Sequence, residues 1–300
     1  MEQMNRTSFY DQISSNKWKS VVLMSLVFIV LIAIGAIIGL VLGPDYFFFI
    51  MIISIIISIV YIWMGYFHSA DLAIASVGAK IADRVHYKQY YHSVEGLTMA
   101  SGLPMPKLYV MEDNNINAFA SGRDPEHAVI CITTGAYNKL SKQELEGVLS
   151  HELSHIANYD IRFMTLTAIL VGMIAIISEI FLRSLWFKDS GSDDNGWNLA
   201  LIIIGIAMAI IAPIIVKLVQ LAISRKREYM ADASAVKFTR FPTGLVGALK
   251  KIKTETSAPA EKVSSAIAPL FMADPFKRNF DGLFSTHPPL EKRIAMLERM

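Results

Sequence analysis

Two histidines and a glutamate in the middle of the chain have the spacing of a metal site. Residues 151–155 read HELSH, which places His151 and His155 four positions apart with Glu152 beside the first. On an α-helix, residues four apart share one face, so both imidazoles can bind one metal ion. Glu152 can then reach a water on that metal without being a ligand. The motif alone also fits two solvated histidines on a polar helix face.

A catalytic zinc site needs a third protein ligand and an open position for water. The later run 224–235, SRKREYMADASA, supplies Glu228 and, four residues on, Asp232. We predict that Glu228 completes the ligand set and that Asp232 accepts a hydrogen bond from a ligand imidazole, fixing its tautomer. The alternative is an acidic pair neutralised by the basic residues at 225–227.

The elements that must hold these residues can be read from local patterns. Ser141, followed three residues later by Glu144, is a capping box, and it predicts a helix from there to about Asn158 that carries the HELSH motif. Residues 69–101 also have helical spacing and end at a Gly-Leu-Pro stop. Short β-prone runs separated by turn residues predict an antiparallel meander; they lie at 107–111, 116–120 and 128–133.

The composition indicates a membrane protein, with 53% hydrophobic and 18% charged residues. Residues 21–42 and 46–67 contain no charged residue, and each is long enough as a helix to cross the roughly 30 Å hydrocarbon layer. Two later segments, 163–182 and 197–216, are apolar apart from Glu179. We therefore predict four transmembrane helices.

The polar regions between and after these spans are large enough together to form one domain. Basic residues flank the span ends, whereas the loop between the last two spans is acidic, so the positive-inside rule places both termini and the polar regions in the cytoplasm. The predicted division is a cytoplasmic segment 1–20, two spans in 21–67, a catalytic domain from 68–162 and 217–300, and an inserted hairpin 163–216 with the external loop 183–196.

Charge and cysteine content exclude some classes of protein. The single cysteine, Cys131, cannot form an internal disulfide and fits a reducing compartment. The net charge is +2, and the basic residues form no cluster that would indicate nucleic-acid binding.

The motifs, together with NAFASG at 117–122 and STHPPLEKRI at 285–294, resemble those of the membrane-bound M48 zinc metallopeptidases over nearly the full chain. The resemblance implies a zinc ion held by His151, His155 and Glu228, with Glu152 as general base and acid. It also implies an α+β fold: four transmembrane helices and a mainly helical, zincin-like domain with a small antiparallel sheet.

The resemblance further implies roles around the metal. Strand 117–122, with Asn117, Ala118 and Phe119, would hold the substrate backbone, and His287 would lie near the scissile carbonyl. Asp160 and Arg293 occur at family-typical places, where they would have structural roles or support the ligands. His287 can also be read as a helix cap and Asn117 as a turn residue.

The sequence thus predicts a zinc endopeptidase of the bacterial inner membrane that cuts misfolded or damaged membrane proteins, and also soluble ones, under stress. Zinc lowers the pKa of a bound water toward about 7, and Glu152 would take its proton. Two other hypotheses remain: a zinc-binding scaffold closed by a fourth protein ligand, and a transporter. The transporter is disfavoured because only Glu179 supplies an acid within the spans.

Overall fold

The computed structural model describes residues 9–168, 225–255, 270–273 and 288–300, together with Gly172 and Gly205. Most of the predicted hairpin 163–216 lies outside these residues, although 163–168 are helical, and His287 lies outside them as well. The helices are α1 (Phe9–Leu42), α2 (Pro44–Phe67), α3 (Ser69–Ser76), α4 (Lys88–Ser101), α5 (Thr134–Lys139), α6 (Lys142–Ala157), α7 (Arg225–Thr239), α8 (Pro242–Thr254) and α9 (Leu290–Leu297). The strands are β1 (Lys80–Ile81), β2 (Lys107–Met111), β3 (Ala118–Gly122) and β4 (Ala128–Thr133).

Helices α1 and α2 pack together as a hairpin long and apolar enough to cross a membrane. Ile13–Leu40 and Pro44–Phe67 are the candidate spans, and Gly43 alone joins the helices, with φ +106°, a value that glycine adopts without strain. Large apolar side chains of α2 face outward, including Phe48 at 76% exposure. A helix that exposes such a surface suits lipid rather than water.

The first helix begins at Phe9, well before the predicted span start at residue 21. Hydropathy marks only the part of a helix that suits the hydrocarbon layer. The extra turns are polar and reach the catalytic domain: Asn16 and Ser20 are buried, and Lys17 lies over the Tyr159 ring at 4.3 Å. The segment 9–20 is therefore a structured extension of the membrane helix.

The prediction of one helix over 69–101 was wrong. Helix α3 ends before Gly78, which has φ +62°, and the chain then forms β1 at the edge of the sheet. Helix α4 begins only at Lys88 and ends, as expected, at Gly102 in the left-handed conformation. Small and apolar residues with helical spacing did not reveal this break.

The sheet is small but mixed, so the predicted antiparallel meander was wrong. The strand order is β1-β2-β4-β3, with β2 and β4 parallel and β3 antiparallel to β4. Strand β4 lies in the interior of the sheet, and all six of its residues, AVICIT, are buried, as expected for a strand whose two faces are both covered. Strand β3 is thereby moved outward, where it packs against α6.

Helix α6 runs through the centre of the main core. Its capping box is formed as predicted, since Glu144 N donates to Ser141 Oγ and Ser141 N donates to Glu144 Oε2 at 2.7 Å. The helix packs against α4, α7, α8 and β3. Its apolar side chains Leu145, Val148, Leu149 and Ile156, which recur at helical spacing, are fully buried.

Candidate metal centre

The structure brings His151, His155 and Glu228 together. The ligand atoms of these three residues all lie within 4.8 Å of one another, and every one of the side chains is buried. The two imidazole Nε2 atoms are 3.3 Å apart, and each is 3.7 Å from a carboxylate oxygen of Glu228. The histidines come from α6 and the glutamate from the first turn of α7. The alternative of two solvated histidines on a polar face is therefore wrong.

The donor geometry fits a small tetrahedral cation. Zinc bonds of about 2.0–2.1 Å at tetrahedral angles would place neighbouring ligand atoms about 3.3 Å apart. The Nε2–Nε2 separation of 3.3 Å matches this spacing, and the two oxygens of Glu228 lie slightly further away, each 3.7 Å from a different imidazole. Each histidine also directs its Nδ1 atom at a carboxylate, so Nδ1 carries the proton and the Nε2 lone pairs face each other. Two facing lone pairs require a cation or a proton between them.

Asp160 holds the second histidine. Its Oδ2 atom lies 3.1 Å from His155 Nδ1, while its Oδ1 atom accepts from Asn16 Nδ2 at 2.7 Å. Asp160 follows the turn that ends α6, in which Tyr159 has φ +58°. The guanidinium of Arg227 adds a longer ion contact at 3.9 Å. The carboxylate is thus held on both sides, which fixes the orientation of the His155 ring.

Asp232 contacts His151 in the same way as Asp160 contacts His155. Its Oδ1 atom lies 3.0 Å from His151 Nδ1, and Arg293 from α9 donates to both of its oxygens at 2.9 and 2.7 Å. Burial raises the pKa of Asp232, but Arg293 and His151 outweigh it and lower that pKa to about 2. Burial and Arg293 lower the pKa of His151, yet the Asp232 and Glu228 carboxylates outweigh them and raise it to about 9. The pair Asp232 and Arg293 therefore stays ionised.

The buried carboxyl groups around the site outnumber the buried guanidinium groups. Burying an uncompensated charge is costly, so charges in a protein interior are paired or bind metals. Among the described residues, four buried carboxyl groups meet two buried guanidinium groups, and the raised pKa of His151 supplies part of the missing positive charge where a metal ion would supply it instead. The carboxylates are Glu152, Asp160, Glu228 and Asp232, and the guanidinium groups are Arg227 and Arg293.

Glu152 lies on α6 directly after the first histidine and is only 2% exposed. It interacts electrostatically with Arg293, which also approaches His151 and Glu228. A buried carboxylate beside a metal site and close to a cation is suited to accept and return a proton.

The predicted substrate strand contacts another part of the same chain. Asn117 Nδ2 donates to Ala273 O at 2.8 Å, Ala273 N donates back to Asn117 Oδ1, and Met272 N donates to Ala118 O at 2.9 Å. Phe119 pairs with Phe271, with ring centroids 4.9 Å apart. Residues 270–273 thus extend the sheet beyond β3 and engage the backbone groups that a substrate strand would use.

Two residues at the centre were missed by sequence reasoning. Arg227 was read as part of a basic cluster, although it is only 7% exposed and contacts Asp160. Asn16 gave no signal, because a single polar residue before an apolar segment is unremarkable. Its contacts to Asn158 and Asp160 join positions 142 and 144 residues apart.

The chain was compared with known proteins. Residues 87–300 match the model of peptidase family M48. A curated relative from Thermoanaerobacter pseudethanolicus, described as a protease HtpX homolog, is 39% identical over 99% of both chains. Another of the same description, from Streptococcus mutans, is 42% identical over 97% of this chain and 99% of its own.

A solved structure shares the fold. The crystal structure of S. mikatae Ste24p aligns with 96% of this chain and 67% of its own length, with a TM-score of 0.52 and 19% identity. The family match, the near full-length relatives and the two exposed apolar helices agree. The chain belongs to peptidase family M48, and it is a membrane metalloprotease.

Proposed function

We propose that the protein is a zinc-dependent endopeptidase whose metal is held by His151, His155 and Glu228. The observation that carries this assignment is the convergence of three buried donors within 4.8 Å, with each imidazole backed by its own carboxylate. Such a donor set of two imidazoles and one carboxylate suits zinc and leaves a coordination position open for chemistry.

In this proposal the chain divides the chemical work among a few residues. Zinc, when bound, lowers the pKa of a water toward about 7 and polarises the peptide carbonyl. Glu152, which follows the first ligand on α6, would accept a proton from the attacking water and return it to the leaving amine. Asp232 and Asp160 hold the imidazoles in the tautomer that offers Nε2 to the metal. Arg293 keeps Asp232 ionised and lies near Glu228.

The substrates in this proposal are polypeptides near the bilayer, chiefly misfolded or damaged membrane proteins. The proposal draws on the description of the relatives as HtpX proteases and on the apolar hairpin that places the catalytic domain beside the membrane. An extended substrate would pair with β3, where residues 270–273 now bind Asn117 and Ala118. His287 stays a prediction for a group near the scissile carbonyl.

Zinc-dependent cleavage can be tested directly. The full chain is purified in detergent without metal, zinc is added, and cleavage of an unfolded protein is followed. We expect Glu152→Gln to bind zinc like the wild type and to lose cleavage. Glu146→Gln on the same helix should cleave normally, because Glu146 forms a 3.8 Å ion pair with Lys142 and accepts a hydrogen bond from Ser93 Oγ at 3.3 Å, and it contacts none of the metal-site residues in the described part of the chain. A wild-type protein that binds zinc and cleaves nothing would be a scaffold and would overturn the proposal.

We also propose that the protein resides in the bacterial inner membrane with four spans, both termini and the catalytic domain on the cytoplasmic side. The positive-inside rule supports this orientation. Val85, which is 84% exposed, can be replaced by cysteine, because the native Cys131 is fully buried. A membrane-impermeant thiol reagent should label Val85→Cys only after the cells are permeabilised. The same reagent should label Ser190→Cys, in the predicted external loop, in intact cells. The reverse pattern would refute the orientation.

A further inference from the structure

Helix α1 reaches the metal centre through a single polar side chain. Asn16 is 1% exposed, and its amide nitrogen donates to Asp160 Oδ1 at 2.7 Å and to the backbone oxygen of Asn158 at 3.0 Å. The other carboxylate oxygen of Asp160 lies 3.1 Å from Nδ1 of His155. An unbroken chain of hydrogen bonds thus runs from the membrane helix to an imidazole of the metal site.

The surroundings show that this contact is built into the fold. Lys17, the next residue of α1, lies over the ring of Tyr159 in the same turn. Further along α1, Leu23 and Val27 are buried against Phe163 and Leu166, which belong to the helix that follows the turn. The beginning of α1 is therefore packed along the segment that follows α6, and the amide of Asn16 is held where it meets Asp160.

We propose that Asn16 is a positioning residue of the metal centre, which fixes the Asp160 carboxylate and through it the orientation of His155. The inference rests on the proposed zinc site and extends it to the membrane helix. Asp160 lies at a chain turn with a strained residue before it, so its side chain needs partners to keep one orientation. Losing the group that holds a ligand histidine typically lowers metal affinity about 10–100-fold.

The partners of Asp160 differ in what they can fix. The Arg227 guanidinium contributes charge from 3.9 Å, beyond hydrogen-bond distance. Asn16 makes a short, directed bond, and its second bond to Asn158 O prevents the amide from turning away. The two contacts therefore have separate functions: Arg227 stabilises the charge of Asp160, and Asn16 fixes its geometry.

The test measures zinc binding separately from cleavage. The full chain in detergent is titrated with zinc against a chromophoric chelator, and the visible spectrum of the cobalt-substituted protein is recorded. We expect Asn16→Ala to weaken zinc binding about tenfold, which is the low end of the loss seen when a hydrogen-bond partner of a metal ligand is removed. The variant should also shift the absorption bands of the bound cobalt. The matched control is Ser20→Ala, because Ser20 is also buried in α1 but donates only to the backbone oxygen of Asn16. Its zinc affinity and cobalt spectrum should equal those of the wild type.

A double-mutant cycle separates positioning from general packing. If Asn16 acts through Asp160, Asn16→Ala adds no further loss of zinc affinity to Asp160→Ala. An equal loss in both backgrounds, an unchanged affinity in Asn16→Ala, or an equal effect of Ser20→Ala would overturn the proposal.

A second variant covers the case in which the alanine protein does not fold. Asn16→Asp keeps the shape of the side chain but places a carboxylate oxygen 2.7 Å from Asp160, where the amide donated. We expect a larger loss of zinc affinity than in Asn16→Ala, with helix content by circular dichroism unchanged. Wild-type affinity in a folded Asn16→Asp protein would refute the role of Asn16. A wild type that binds zinc but cleaves nothing would instead refute the proposed function and leave this inference standing.

Discussion

Replacing Arg293 by methionine should reveal how strongly the charges around the metal centre depend on one another. Arg293 is 0% exposed and binds both oxygens of the buried Asp232, at 2.9 and 2.7 Å. Breaking a buried ion pair from one side leaves an uncompensated charge and costs about 3–5 kcal/mol. Because His151 remains beside Asp232 at 3.0 Å, we expect a value near the lower end, about 3 kcal/mol.

The assay is the free energy of unfolding of the metal-free full chain in detergent, from a guanidinium titration followed by circular dichroism. The matched control is Lys250→Met, which removes a surface ion pair to Glu298 of comparable length, 2.6 Å. Both partners of that pair are about half exposed, so its loss should cost only about 0–1 kcal/mol. The double variant Arg293→Met with Asp232→Leu should recover part of the loss, since Asp232 then leaves no unpaired charge, whereas Glu228, 3.6 Å from Arg293, still lacks that cation.

The reasoning fails if Arg293→Met and Lys250→Met lower the free energy of unfolding equally. It also fails if the double variant is less stable than Arg293→Met, because the cost would then come from lost packing and not from the charge of Asp232.

Three further perturbations test the packing and the charge balance. Leu149→Ala should lower the free energy of unfolding by about 2–5 kcal/mol, because Leu149 is fully buried in the core. Chemical denaturation measures this loss, and a value below about 1 kcal/mol would contradict the tight packing around Leu149. Gly147→Ala should destabilise the protein by about 1–3 kcal/mol, since the added Cβ atom would lie 2.5 Å from the backbone nitrogen of Leu245. The control Gly96→Ala should be neutral or stabilising, because a Cβ atom at Gly96 meets nothing within 4 Å. Equal melting temperatures for the two variants would refute the close approach of α6 and α8. Removing zinc with a chelator should lower the melting temperature, because the buried carboxylates around the site lose their metal counter-ion, and Glu228→Gln should reduce this shift. A melting temperature independent of zinc in the wild type would contradict this reasoning.

The sequence predicted those parts of the site that are written in short patterns. The spacing of His151, His155 and Glu152 and the capping box at Ser141 are local signals, and helical periodicity converts them into positions on one face. Glu228 could be selected because the chain must supply a third ligand and because two spans would return it to the same side. Asp232 followed from its position one turn after Glu228.

Other features depend on tertiary packing and leave no local trace. The predicted sheet order was wrong because turn residues between β-prone runs suggested neighbouring hairpins, whereas β4 pairs with β2 on one side and with β3 on the other. The break at Gly78 and the early start of α1 were missed because periodicity and hydropathy do not report which partner a helix meets. Asn16 could not be found at all, since its role depends on a contact across 144 residues.

The site therefore depends on segments that are far apart in the chain. Helix α6 provides the histidines, α7 provides Glu228 and Asp232, α9 provides Arg293, and α1 provides Asn16. The carboxyl groups that α6 and α7 bring together outnumber the buried guanidinium groups beside them, so a divalent ion between these two helices would stabilise their contact. Metal binding and the docking of α7 onto α6 should consequently be coupled, so that zinc stabilises the catalytic domain as well as activating it.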